Sequence, residues 1–70
     1  MMSANYYYLA QKYRGQAVQI RDRKGRVYRG RIKYATPHGV YLQALNEPRG
    51  FFIPFIAIVS LILLSAIFFL

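Results

Sequence analysis

Cationic side chains dominate the chemistry open to this chain. Nine of its ten Lys and Arg residues fall between Lys12 and Lys33, against two Asp and Glu in all. Arg21, Arg23, Lys24 and Arg26 crowd one polar turn. Arg29, Arg31 and Lys33 follow at alternate positions, which an extended strand places on one side. A stripe of this density attracts polyanions. It would hold RNA or DNA by their phosphates, or anionic lipid at about 1 kcal/mol per cation near the bilayer. The plainer reading is a solvated face that keeps an apolar protein dispersed and oriented. Tyr6, Tyr7, Tyr8, Tyr13 and Tyr41 add rings suited to stacking on bases or to a headgroup interface.

Catalysis is poorly provided for. Asp22 and Glu47 are the side-chain carboxylates, and both fall in expected loops. General acid and base work needs such a pair to meet in a protected cleft, and nothing in their spacing brings them together. Ser3, Ser60 and Ser65 lack a base at useful spacing. His38 is a lone imidazole in a chain without cysteine, so it builds no metal site by itself. It reads as a turn residue. The expectation is a protein without catalytic residues, cofactor or metal.

The elements that must position the cations are strands. Ala17 to Asp22 (A-V-Q-I-R-D) sets Val18 and Ile20 on one face and Gln19 and Arg21 on the other, the two-residue period of a half-buried strand. Asp22 to Gly25 (D-R-K-G) is a hairpin turn, with Gly25 accepting a positive φ. A second strand, Arg26 to Ala35, puts Tyr28, Gly30, Ile32 and Tyr34 inward and Arg29, Arg31 and Lys33 outward. Gly30 predicts a bulge or bend there. T-P-H-G, Thr36 to Gly39, breaks the chain before a third strand, Val40 to Leu45. Residues 14–45 thus form a basic three-stranded antiparallel meander, and 46–50 (N-E-P-R-G) form a linker. Residues 1–13 are Tyr-rich, either disordered or a short helix capped by Asn5 that lays Leu9 and one or two Tyr over the sheet.

The remaining residues, 51–70, carry all five Phe and no charge. As a helix these 20 residues span about 30 Å, the thickness of a bilayer core. Pro54 would sit harmlessly in the first turn. The leading expectation is therefore a C-terminal transmembrane helix, which is not a secretory signal because it lies at the wrong end. It would leave the basic part on the cytoplasmic side. The alternative is strands Phe51–Ile53 and Ile58–Leu64 joined by a turn at Pro54–Ala57, completing a five-stranded barrel in a cytoplasmic protein. Against it stand Leu61, Ile62, Leu63 and Leu64, which do not alternate.

The stretch Y-R-G-Q-A-V-Q-I-R-D-R-K-G-R-V-Y-R-G-R-I-K-Y-A-T-P-H-G-V-Y-L-Q-A-L resembles the first three strands of small SH3-like barrels of the Sm or Hfq type. Val27-Tyr28-Arg29-Gly30 matches the bent second strand. His38 to Leu42 resembles the turn and third strand, and Ile53 to Ile58 resembles the turn joining strands four and five. His38-Gly39 replaces the usual acidic or Asn turn residue, and the family's C-terminal Arg-Gly signature is absent. The resemblance implies an oligomeric RNA-binding barrel. The overall layout is also similar to small uncharacterised proteins of spore-forming bacteria with a Tyr-rich start and a Phe-rich tail, implying a membrane or spore-associated role.

Three functions follow as expectations. The first is a membrane-anchored accessory or scaffold protein whose basic module contacts anionic lipid or a partner protein. The second is an Sm-like oligomer binding RNA. The third is a small subunit of a larger membrane complex.

Overall fold

A computed structural model describes the backbone of residues 2–68 and the side chains of residues 6–67. In chain order the elements are α1 (Met2–Lys12), β1 (Ala17–Asp22), β2 (Val27–Thr36) and β3 (Gly39–Ala44). β4 (Gly50–Pro54), a single 3-10 turn (Phe55–Ala57), β5 (Ile58–Leu63) and α2 (Leu64–Phe68) follow. The strands form one five-stranded sheet in the order β4-β3-β2-β1-β5. All neighbours are antiparallel.

The membrane-crossing helix over 51–70 is overturned, and with it the fold of three strands and an anchor. No helix among the described residues is long and apolar enough to cross a membrane. Residues 50–63 instead give two strands and a turn, and α2 has five described residues. Phe69 and Leu70 lie outside the described residues. The physical reason is pairing. The β-branched and aromatic side chains of this run suit a pleated surface, and β3 and β1 each offer it an edge. Ile53, Phe55, Ile58, Leu61 and Leu64 turn inward and are buried. Pro54 ends β4, at an edge where its missing amide proton is not needed for pairing.

The core lies under one face of the sheet. Val18, Ile20, Val40 and Leu42 are fully buried there, with Ile32, Ile53 and Leu61 nearly so. α1 supplies the cover that a small sheet requires. It begins before Asn5, which lies within it and not at its cap. Ala10 is buried, and Tyr6, Tyr7, Leu9 and Tyr13 pack against the core.

Two register shifts decide which side chains face out. In β2, Ile32 pairs with Leu42 and Tyr34 pairs with Tyr41, leaving Lys33 as an extra residue. An extra residue reverses the phase of everything after it. Tyr34 therefore leaves the inner face that simple alternation gives it, and both Lys33 and Tyr34 are exposed. In β5, Ile58 pairs with Asp22 and Ser60 with Arg21, leaving Val59 as the extra residue. Beyond that shift Leu61 to Leu63 pair in regular register, and alternation is missing from the sequence because the outward position is filled by Ile62. Leu61 lies inside opposite Ile20, while Ile62 lies outside opposite Gln19.

The bulge expected at Gly30 falls further along β2. Gly30 itself pairs in register with Val18 and Ala44. It is glycine for lack of space, since a Cβ there would lie 2.6 Å from the Gln43 carbonyl oxygen.

Candidate anion-binding and stacking face

The outward face of β1, β2 and β3 gathers the cations of the strands. Arg21 stands opposite Val27, Gln19 opposite Arg29, and Arg31 opposite both Ala17 and Gln43. Arg21, Arg29, Arg31 and Lys33 are all exposed. Alternate residues of a strand lie about 6.8 Å apart, so Arg29 and Arg31 are regularly spaced, and Lys33 follows them at the bulge. Arg29 Nε donates to Gln19 Oε1 at 2.8 Å, and Arg31 Nη1 donates to the Gly15 carbonyl at 2.9 Å. These bonds steady the side chains without neutralising them.

Carboxylates are not available to quench the row. Glu47 lies 4.0 Å from Arg49 in the loop between β3 and β4. Asp22 is buried and faces its own turn. Its Oδ1 accepts the amides of Lys24 and Arg26, each at 2.9 Å, and its Oδ2 accepts the Tyr28 hydroxyl at 3.2 Å. Burial pushes this carboxyl up, but the Arg26 and Lys24 amides, the Tyr28 hydroxyl and the Arg26 charge outweigh it. The net result lies below the ordinary value of 3.8.

Arg23, Lys24 and Arg26 sit apart from the row, on the β1–β2 turn. Gly25, at φ +84°, lets that turn close. With Asp22 and Ala57 the three cations line a shallow pocket of about 280 Å³. Arg23 Nε donates to the Ile56 carbonyl at 2.7 Å, and the Arg23 amide donates to the Ala57 carbonyl at 3.0 Å. The turn is thus tied to the 3-10 segment. Of the four cations expected at the turn, Arg21 belongs instead to the strand row, which leaves a row of four and a turn cluster of three.

The tyrosines divide as well. Tyr6 donates its hydroxyl to the Val59 carbonyl at 2.6 Å, and Tyr7 meets Phe55 edge-on at 6.0 Å between centroids. Tyr13 packs against the core with Lys12 Nζ 6.0 Å from its ring centroid. These three serve to seat α1. Tyr8 is exposed on the helix, away from any aromatic partner among the described residues. Tyr41 stays on the outward sheet face beside the cations.

Sequence reasoning missed Tyr34 and Phe52. Tyr34 stacks on Tyr41 at 5.2 Å and 18° between planes, and Tyr41 stands opposite Phe52 on β4. Tyr34 and Phe52 are 46% and 45% exposed. The row across three strands adjoins Lys33 along β2, and Tyr41 is two residues from Gln43, which faces Arg31. Phe52 was legible in principle, because it alternates with Ile53 and Phe51. Tyr34 was not, because its orientation depends on the bulge.

Among the described residues no group of three His, Cys, Asp or Glu side chains is placed to hold a metal ion. No family model matches the chain. Over 47 residues, 66% of the chain, it is 40% identical to the uncharacterized protein YodI of Bacillus subtilis (strain 168). The match covers 57% of that protein, so the chain spans little more than half the length of the curated relative it matches. The similarity brings no activity with it.

Proposed function

We propose that the protein is a non-enzymatic RNA-binding β module of the Sm-like kind, which holds the phosphate backbone on the outward face of β1 and β2. The observation that carries this reading is the row Arg21, Arg29, Arg31 and Lys33, exposed on one face while both carboxylates are engaged elsewhere. An unopposed row of this sort concentrates polyanions and releases their counterions on contact. The long second strand and the single turn between β4 and β5 support this reading. The test is a gel-shift titration of a short labelled RNA at several salt concentrations. The native protein binds with strong salt dependence, and the triple variant R29Q/R31Q/K33Q binds more weakly with a slope shallower by about 2. Absence of binding at low salt overturns the reading.

A second reading, self-association or docking to a protein partner, has its own support. β4 and β5 are the two edges of the sheet, and β5 exposes Val59 and Ile62. An apolar edge without charged side chains is open to strand addition. Sedimentation of the purified chain over a concentration range tests this. A monomer at all concentrations removes the self-association reading.

A further inference from the structure

We propose that Tyr34, Tyr41 and Phe52 form a stacking platform for the unpaired bases of single-stranded nucleic acid, beside the cation row that takes the phosphates. This rests on the RNA-binding reading above and specifies which form of nucleic acid the face accepts.

Three observations carry it. The first is placement. Tyr34, Tyr41 and Phe52 occupy adjacent positions on β2, β3 and β4, one cross-strand row of the outward face. Strands lie about 4.8 Å apart, so the row extends about 10 Å, with Tyr34 and Phe52 its two most exposed rings. The second is preparation. Gly50 and Gly39 leave room for the rings. A Cβ at Gly50 would lie 2.5 Å from Tyr41 Cε1, and one at Gly39 would lie 2.6 Å from Phe52 Cζ. Tyr41 and Phe52 therefore lie over bare backbone, and Tyr34 is stacked on Tyr41. Rings fixed in advance lose little freedom when a ligand arrives. The third is charge. Lys33 is the bulged neighbour of Tyr34, and Arg31 faces Gln43 next to Tyr41 along β3. Phosphates bound at these cations would bring their bases over the rings.

The chemistry selects single strands. In a duplex the bases stack on one another and present only edges, so an aromatic surface gains nothing from them. An unpaired strand turns its flat faces outward, and base–aromatic stacking tolerates any sequence.

The experiment measures anisotropy of a labelled oligouridylate and of an RNA duplex of equal length, against the full chain and its variants. The native protein prefers the single strand. Tyr34→Ala and Phe52→Ala each weaken single-strand binding by about fivefold or more, leave the salt slope unchanged and leave duplex binding unchanged. Tyr34→Phe keeps native affinity, which separates ring stacking from hydroxyl contacts and guards against a folding defect. Circular dichroism melts check that each variant remains folded. Equal affinity for single strand and duplex overturns the platform. So do folded alanine variants that bind like the native chain. If in that case R29Q/R31Q/K33Q still loses affinity, the phosphate-binding reading stands without the platform. If the native chain binds neither RNA, the RNA-binding reading fails and the platform with it.

Discussion

Tyr34 lies parallel to Tyr41 across β2 and β3, 5.2 Å between ring centroids, because Lys33 is one residue too many for the ladder. In a regular ladder with Lys33 paired to Tyr41, Tyr34 would face Val40 and point into the core. With the extra residue, a ring and a cation emerge together on the side that already carries Arg29 and Arg31. One insertion thus decides both what the core loses and what the outer face gains.

The bulge at Val59 makes a similar distinction on β5. Leu61 is 5% exposed and Ile62 is 41% exposed. Leu61→Lys buries an unpaired charge and should cost about 4 kcal/mol or more, enough to unfold a domain of this size. Ile62→Lys should change stability by less than about 1 kcal/mol. Urea unfolding of both variants checks this, and equal losses would contradict the register of β5.

Gly30→Val should be strongly destabilising. Its Cβ would meet the Gln43 carbonyl oxygen at 2.6 Å and Leu42 Cβ at 3.3 Å, and backbone cannot swing aside as a side-chain tip does. Overpacking of this kind costs about 1–3 kcal/mol. A thermal melt of the variant should fall well below that of the native chain. An unchanged melt would mean that β2 and β3 lie further apart.

Tyr6→Phe removes one hydroxyl and leaves the ring. The Val59 carbonyl then loses the partner that ties α1 to the bulge. The expected loss is about 1 kcal/mol, read by denaturant titration. Amide exchange should quicken in α1 more than in β1–β2. Uniform quickening would show that the helix and sheet open only together.

Asp22 sets an acid limit. Its carboxyl titrates lower in the folded chain than the ordinary 3.8, because turn amides and the Tyr28 hydroxyl favour the ionised form despite burial. Between the two values the unfolded chain holds more protons, so stability rises with pH across that window. The contribution is complete above about 4 and disappears as pH falls through the folded value. Asp22→Asn should be less stable at neutral pH and lose less on acidification. Parallel pH–stability curves for the two chains would assign the acid sensitivity elsewhere.

The local patterns and the global ones were unequally legible. Val18 and Ile20 alternate with Gln19 and Arg21 in a short strand without interruption, so period alone gives their faces. Gly25 marks its turn by chemistry, and Asp22 supplies the turn's acceptor. The C-terminal run misled because hydropathy does not distinguish a helix in lipid from a strand buried on one side. Val59 compounds this by breaking the alternation just where the pattern must be read. The turn and strand cations were separable by position in the chain, but the tie that holds Arg23 was not. Arg23, Lys24 and Arg26 are close to Arg29 in the chain, but Arg23 is tied to Ile56, which lies far along it. Whether Tyr6 and Tyr7 stack on a ligand or cover the sheet was open from the sequence, because their partners, Val59 and Phe55, belong to the other end of it.

The β1–β5 pairing has a consequence for the order of folding. Ile20 pairs with Leu61 and Val18 with Leu63, so β1 keeps one flank bare until β5 docks against it. Contacts between residues so distant in sequence slow folding and prolong the exposure of sticky intermediates. A chain in which β5 has yet to dock is thus the form most in need of a chaperone.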